Sequence, residues 1–162
     1  MGLAVTVFKN IKKTNDDENY DFTAYVIDPT WEHKIKNLEP DAKYVGERSE
    51  GNISYPYSSH NRFREHLLKL QDRHDLLKKD STVDWERLDK FPELPFYELI
   101  NFADNEGCLD WETNEKLYND FKVCEGKAVK YAENEYYFIE TYKSWLNIFE
   151  NGKQRDAVVV FH

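Results

Sequence analysis

Cysteine, glycine and proline are scarce in this chain. Its 162 residues include two cysteines, six glycines and five prolines. Cys108 and Cys124 form no CxxC pair and cannot build a disulfide framework, so we predict buried free thiols and a reducing, cytoplasmic setting. The glycines are too scattered for either phosphate-binding pattern, GxxxxGK[ST] or GxGxxG, and both patterns are absent.

Long apolar runs and an excess of basic residues are also missing. No stretch approaches the ~18 apolar residues of a membrane span, and no cationic segment leads into an apolar one near residue 1. We therefore predict neither a membrane segment nor a signal peptide. Twenty-two basic side chains stand against 31 acidic ones, for a net charge of −9. This balance argues against nucleic-acid binding, which needs basic side chains to displace counterions from phosphates.

The sequence patterns of common catalytic and metal centres are missing too. There is no GxSxG elbow and no HExxH, and no two of the five histidines are spaced i, i+3 or i, i+4. The 31 carboxylates could always supply a pair for acid–base chemistry, so their number alone indicates nothing. We predict no cofactor, no metal site and no catalytic residue, and we lean towards a protein that is not an enzyme.

The residues that are present indicate a folded domain. Hydrophobic residues make up 40% of the chain, charged residues 33% and aromatic residues 15%. That balance is typical of globular proteins, and the length suits one domain over residues 1–162. The basic side chains of Arg62, Arg64 and Arg73 are diluted by acidic neighbours and predict a salt-bridged helix surface.

Hydrophobic patterns predict both strands and helices. Residues 3–8, 21–27 and 157–161 are apolar and β-branched enough for strands, the last buried on both faces. Residues 9–19 are polar and predict a loop, and residues 42–45 and 53–57 could form a hairpin. We predict one α+β domain, in which a small mixed or antiparallel sheet includes the N- and C-terminal strands. Three or four helices should pack on this sheet.

Three helices have clear apolar stripes and end signals. The first should begin at Ser58 or Ser59, either of which can cap it. The longest is predicted at 133–151, with Gly152 as its terminating residue. The stripes themselves follow helical spacing: Phe63, Leu67 and Leu70 in the first, Leu117, Phe121 and Cys124 in the second, and Phe138, Tyr142, Trp145 and Phe149 in the longest.

The most suggestive candidate site is the acidic segment 104–110. Gly107 and Leu109 match positions 6 and 8 of a calcium loop and place Asp104, Glu106 and Asp110 at positions 3, 5 and 9. Positions 1 and 12 would then be Phe102 and Thr113, which lack the required carboxylates. We interpret the segment as a turn with Gly107 at positive φ, followed by Asp110 as a helix N-cap. Asn should cap there about as well as Asp.

His162 is a second candidate, since its imidazole sits at the end of a buried strand and strand ends can line clefts. A divalent-metal hydrolase or transferase would use Asp104, Glu106, Asp110 and His162 together. Carboxylate oxygens that converge on one point in a pocket would favour this alternative. Carboxylates that each bond to backbone amides would favour a structural role.

Four blocks of sequence resemble a family of small uncharacterised proteins of bacteria and their phages. The blocks are YSSHNRFREHL at 57–67, LINFADNEGCL at 99–109, KLYNDF at 116–121 and VFH at 160–162. They are similar to the patterns YSSFxxFRxxL, LINFSDCEGxIG, KLxxDF and a chain-terminal FH. The resemblance implies a bacterial or phage intracellular protein and no established activity. Ala103 and Asn105 replace the Ser and Cys of the pattern, so a nucleophile at those positions is absent here.

From these observations we predict a non-catalytic, cytoplasmic protein-binding protein. Its size and acidity are typical of inhibitors, immunity-type proteins and phage accessory proteins. Its many Tyr and Trp side chains could anchor a protein partner. The metal-dependent enzyme remains the alternative, and the oligomeric state stays open.

Overall fold

One long strand near the N-terminus organises the sheet. In this computed structural model, which describes residues 2–25, 34–102 and 107–162, strand β1 spans Gly2–Thr14. Its first half is buried on both faces, as the pattern at 3–8 predicts: Leu3, Val5 and Val7 lie in one core and Phe8 in another. The predicted loop at 9–19 is wrong for residues 9–14, which continue β1. The exposed polar side chains of these residues gave no strand pattern, although their backbone pairs with β3 (Lys43–Arg48).

All strand pairs in the described parts of the chain are antiparallel. The sheet has the order β2-β3-β1-β6-β5, and β4 pairs with the first half of β1. Strand β6 lies between β1 and β5, which confirms the prediction of a central strand. The remaining strands are β2 (Phe22–Thr23), β3 (Lys43–Arg48), β4 (Ile53–Pro56), β5 (Gly107–Asp110) and β6 (Val158–Phe161).

Two strand predictions need correction. The segments 42–45 and 53–57 do not form a hairpin with each other, because β3 and β4 both pair with β1 along successive parts of its length. The predicted strand at 21–27 is reduced to two residues, 22–23, and its positions 26–27 lie outside the described residues.

The described residues contain six α-helices. There are more helices than the three or four expected because three of the six have only four to seven residues. The helices are α1 (Tyr57–Leu70), α2 (Trp85–Leu88), α3 (Tyr97–Ile100), α4 (Trp111–Val123), α5 (Glu125–Tyr131) and α6 (Tyr136–Gly152). The three predicted apolar stripes are all buried.

The helix ends follow the sequence signals only in part. Asp110 caps α4 as predicted, but neither Ser58 nor Ser59 caps α1, whose N-cap position is Pro56. Gly152 does not terminate α6 through a positive φ, since it is the last helical residue. Its role is steric: a Cβ atom there would lie 2.6 Å from Val159 Cγ2 and 2.9 Å from Asn114 Nδ2.

The sheet is buried on both faces. Val159 and Phe161 of β6 belong to the larger core against the helices, whereas Val158 and Val160 belong to a second core on the opposite face. That opposite core also includes Phe8, Phe22 and Tyr44, whose rings stack at centroid distances of 5.4–5.6 Å. The continuous apolar pattern at 157–161 follows from burial on both sides.

The architecture is an α+β fold with a curled antiparallel sheet, as predicted. Cys108 and Cys124 are buried free thiols, also as predicted. Arg64 departs from the expected salt-bridged surface, because it is buried and donates to the carbonyls of Ile100 and Phe102. Within the described ranges, no helix is both long and apolar enough to cross a membrane.

Candidate functional site

A cleft of about 600 Å³ opens between β4, α1 and the N-terminal half of α6. The chain turns directly from β4 into α1 at Tyr57, so the strand and helix form two adjoining walls. Helix α6 supplies the third wall because its buried stripe packs on the sheet, with the Trp145 and Phe161 rings 5.8 Å apart. The cleft is lined by Asn52, Ile53, Ser54, Tyr55, Ser59, Arg62, Phe63, His66, Glu135, Tyr137, Phe138, Glu140, Thr141 and Ser144.

Two phenylalanine rings form the apolar floor. Phe63 of α1 and Phe138 of α6 lie with ring centroids 5.5 Å apart, and both are almost fully buried. They belong to the two predicted apolar stripes, so the contact that joins the helices also closes the bottom of the cleft. The side chains of Ser59, Thr141 and Ser144, from α1 and α6, surround this floor.

A polar cluster lies at one end of the cleft. The Arg62 Nε–H donates to His66 Nε2 at 3.3 Å, so the proton of a neutral His66 is on Nδ1, which donates to the Tyr131 hydroxyl at 2.6 Å. A Glu135 carboxylate oxygen lies 3.8 Å from Arg62 Nη2 and 3.9 Å from His66 Nε2. Burial lowers the pKa of His66, and the nearby Glu135 charge opposes that shift.

Behind the cleft wall, three aromatic residues share a hydrogen-bond chain. The Trp145 indole N–H donates to the Tyr55 hydroxyl at 3.0 Å. The Tyr55 hydroxyl is also hydrogen-bonded to His60 Nδ1, at 2.7 Å. Burial, reinforced by Arg64, lowers the pKa of His60 to about 3, so this imidazole is neutral at physiological pH. This series of hydrogen bonds fixes β4 against α6.

Two adjacent exposed tyrosines begin α6, and the second of them, Tyr137, lines the cleft. Tyr136 and Tyr137 are 72% and 84% exposed, the largest values for aromatic residues in the described chain. Their rings meet edge to face at 5.6 Å. The next residue, Phe138, is buried in the floor, so this first turn of α6 carries an apolar surface from the core out to solvent.

The structure places Asp110 in a structural position. Its side chain is fully buried, and one oxygen accepts the Thr113 N–H of α4 at 3.2 Å. The other oxygen accepts from the backbone N–H and the side-chain amide of Asn37, at 2.8 and 3.1 Å. Gly107 has φ +134°, as predicted for the preceding turn. Asp110 therefore joins α4 to the segment that covers the second core.

His162, the one other proposed site residue within the described ranges, is not brought into contact with Asp110. Asp104 and Glu106 lie outside the described residues. His162 follows Phe161, which pairs with Gly107, whereas Asp110 pairs with Val158. Asp110 and His162 are thus at opposite ends of the β5–β6 ladder, about 13 Å apart at ~3.3 Å per residue. No group of three His, Cys, Asp or Glu side chains within the described ranges is arranged to hold a metal ion.

His162 is bound to β1 through its backbone. It exchanges hydrogen bonds with Ala4, donating at 2.8 Å and accepting at 3.3 Å. Partial burial, with a contribution from Arg48, lowers the pKa of its imidazole. The residue does not line the cleft beside α6.

Sequence reasoning missed the cleft, although one signal could have indicated it. Tyr136, Tyr137 and Phe138 are consecutive on a helix, and residues there advance by ~100° each. Three consecutive aromatic side chains therefore spread over about 200°, so they cannot all face one core. At least one had to be exposed, and exposed aromatic residues at a helix end are candidates for binding.

Comparison with known proteins finds no family model, no curated protein and no solved structure that matches this chain.

Proposed function

We propose that this protein is a non-catalytic, cytoplasmic protein-binding protein, of the inhibitor, immunity-type or phage accessory kind, and that the cleft between β4, α1 and α6 receives its partner. One observation carries the proposal. Tyr137 is 84% exposed on the rim of a cleft whose floor is aromatic and whose walls hold polar groups. Such a surface combines an anchor residue with a pocket beside it.

The energetics of an exposed tyrosine favour a partner at this place. Covering a large aromatic ring removes apolar surface from water, and its hydroxyl can keep a hydrogen bond at the edge of the interface. The Tyr137 ring contacts the neighbouring Tyr136 ring, and this contact reduces the rotamer freedom that binding would remove. The buried free thiols support the proposed cytoplasmic location.

The geometry of Asp110 supports this function over the metal-dependent alternative. Three N–H groups already occupy the Asp110 oxygens, and two of them come from Asn37. A metal ion at Asp110 would have to displace these donors and detach α4 from its neighbour. The resemblance to small bacterial and phage proteins stays a prediction.

The experiment selects linear peptides on the immobilised protein from a random display library and measures their affinities for variants. Tyr137→Ala should weaken the selected peptides at least tenfold, as for a hot-spot side chain. Tyr25→Ala is the matched control, since Tyr25 is also exposed, at 44%, but is not in the cleft. Binding that is equal for both variants, or no selectable peptide, would refute the proposed function.

A further inference from the structure

The wall of the cleft formed by β4 is an edge of the sheet. Strand β4 pairs with β1 on one side, and in the described ranges no strand pairs with its other side. The edge is short, because α1 begins directly after Pro56, which has no N–H to offer. The backbone groups that remain for a partner are therefore those at and just before Ser54.

The strand register shows which groups face outwards. Ala4 of β1 exchanges both of its backbone hydrogen bonds with His162, on the side away from β4. Ser54 is directly opposite Ala4. In an antiparallel pair, two residues opposite each other either both direct their N–H and C=O groups towards each other or both direct them outwards. Because Ala4 directs its groups away from β4, Ser54 directs its N–H and C=O away from β1. Neither group has a hydrogen-bond partner in the described part of the chain.

These backbone groups border the cleft itself. Ile53 and Tyr55 pack into the core beneath the helices, so strand alternation turns the Ser54 side chain to the opposite face. Ser54 nevertheless lines the cleft and is exposed. It must therefore do so through the backbone edge of β4, opposite the wall formed by α6.

Charge in the cleft selects the kind of segment that fits. Its lining holds two carboxylates, Glu135 and Glu140, against the single guanidinium of Arg62. Arg62 and Glu135 lie near each other, whereas Glu140 has no ion-pair partner within the residues described. The chain as a whole has a net charge of −9. A basic segment is thus favoured and an acidic segment is repelled.

We infer that the partner contributes an extended, basic segment that adds as a strand to the β4 edge, bonding to the Ser54 N–H and C=O and placing a Lys or Arg beside Glu140. This inference rests on the proposed function and specifies its binding mode. Backbone hydrogen bonds supply part of the affinity in strand addition, and alternate side chains enter the neighbouring pocket. Here the pocket-facing side chain would lie on Phe63 and Phe138 beside Tyr137.

The test uses the tightest peptide from the display selection as the probe. Ser54→Pro removes the outward N–H and is compatible with an edge strand, whereas Ser54→Ala keeps it. Melting temperatures of both variants verify that they fold. Ser54→Pro should weaken the peptide at least about fivefold and Ser54→Ala should not. If Ser54→Pro does not fold, N-methylation of successive peptide amides asks the same question from the other partner, and alternate positions should lose binding.

Charge is tested by a reversal. Exchanging the basic residue of the peptide for Glu should weaken binding about two- to fivefold, and Glu140→Lys should restore it.

Peptides that depend on Tyr137 but tolerate Ser54→Pro and every N-methylation would overturn strand addition and leave the proposed function standing. Absence of any Tyr137-dependent peptide would refute both. Concentration-dependent dimerisation that Ser54→Pro abolishes would assign the edge to a second copy and overturn the basic segment.

Discussion

The backbone N–H of Asn37 donates to Asp110 Oδ2 at 2.8 Å, across 73 residues of sequence. The same oxygen accepts the Asn37 side-chain amide, and the other oxygen accepts the Thr113 N–H. Asp110 is thus more than a helix cap. Both of its buried carboxylate oxygens accept hydrogen bonds, and this changes the stability effect expected of the isosteric Asn substitution.

Asp110→Asn should destabilise the protein by ~1–3 kcal/mol, the cost of leaving buried donors unsatisfied. An amide presents one oxygen and one NH₂ group, so whichever way it turns, its NH₂ group faces an N–H donor. The structure thereby revises the expectation that Asn serves as well as Asp. Urea melts measure the effect, with exposed Glu112→Gln in the first turn of α4 as the control. A melting temperature above that of the wild type would contradict the structural role.

Trp145→Ala should cost ~3–5 kcal/mol, because it removes a fully buried ring from the core between α6 and the sheet. It also removes the N–H that bonds to Tyr55. Tyr136→Ala is the control on the same helix and should stay within ~0.5 kcal/mol, since Tyr136 is 72% exposed. Unfolding free energies from urea melts compare them. A loss below about 1 kcal/mol for Trp145→Ala would show that the stripe is not the core contact.

Gly152→Ala and Gly126→Ala should change stability in opposite directions. A Cβ at Gly152 would meet Val159 and Asn114 at 2.6 and 2.9 Å, so overpacking should cost ~1–3 kcal/mol. A Cβ at Gly126 of α5 meets nothing within 4 Å, so the higher helix propensity of Ala should stabilise by ~0.5–1 kcal/mol. Thermal melts of the two variants give the comparison. Stabilisation by both substitutions would contradict the close contact at Gly152.

His60 should make stability depend on pH. Its pKa is lowered from 6.5 to about 3 by burial, so the unfolded chain takes up a proton in this range that the folded protein does not. The stability is complete above pH 6.5 and falls as the pH drops towards 3, by about 1.4 kcal/mol per pH unit. Burial of His66 adds a change of the same sign.

Urea melts between pH 4 and 6.5 measure the slope of the unfolding free energy against pH. The comparison uses the differences in this slope between variants. His60→Asn should reduce the slope by about one proton, whatever its effect on absolute stability. The exposed His74→Asn serves as the control for removal of a histidine from the surface. An unchanged slope in His60→Asn would contradict a buried, neutral imidazole.

The fold was predictable where burial leaves a periodic trace. The strand at 157–161 and the three helical stripes were found because their side chains fill the core. Residues 9–14 were missed because this part of β1 pairs through its backbone while polar side chains face solvent. The role of Gly152 was also hidden, since only tertiary packing brings Val159 and Asn114 against it.

The candidate site was predictable to a smaller extent. The N-cap at Asp110 follows a local rule and was found, whereas its bonds to Asn37 depend on a contact across 73 residues. The cleft joins β4 and α1 to α6, about 80 residues later, and no local pattern encodes that meeting. Only the three consecutive aromatic residues at 136–138 carried a signal of it.

The most direct measurement of the central claim is an NMR titration of the isotope-labelled protein with a selected peptide. The account predicts that backbone amide shifts concentrate on Ser54, Ser59, Tyr137 and Thr141, which lie on the three walls of the cleft. Amides near the exposed Trp85 and Phe91, or near Val123 and Val129, should not move. Shifts centred on either of those surfaces, with the cleft amides unperturbed, would contradict the assignment of the cleft as the protein-binding site.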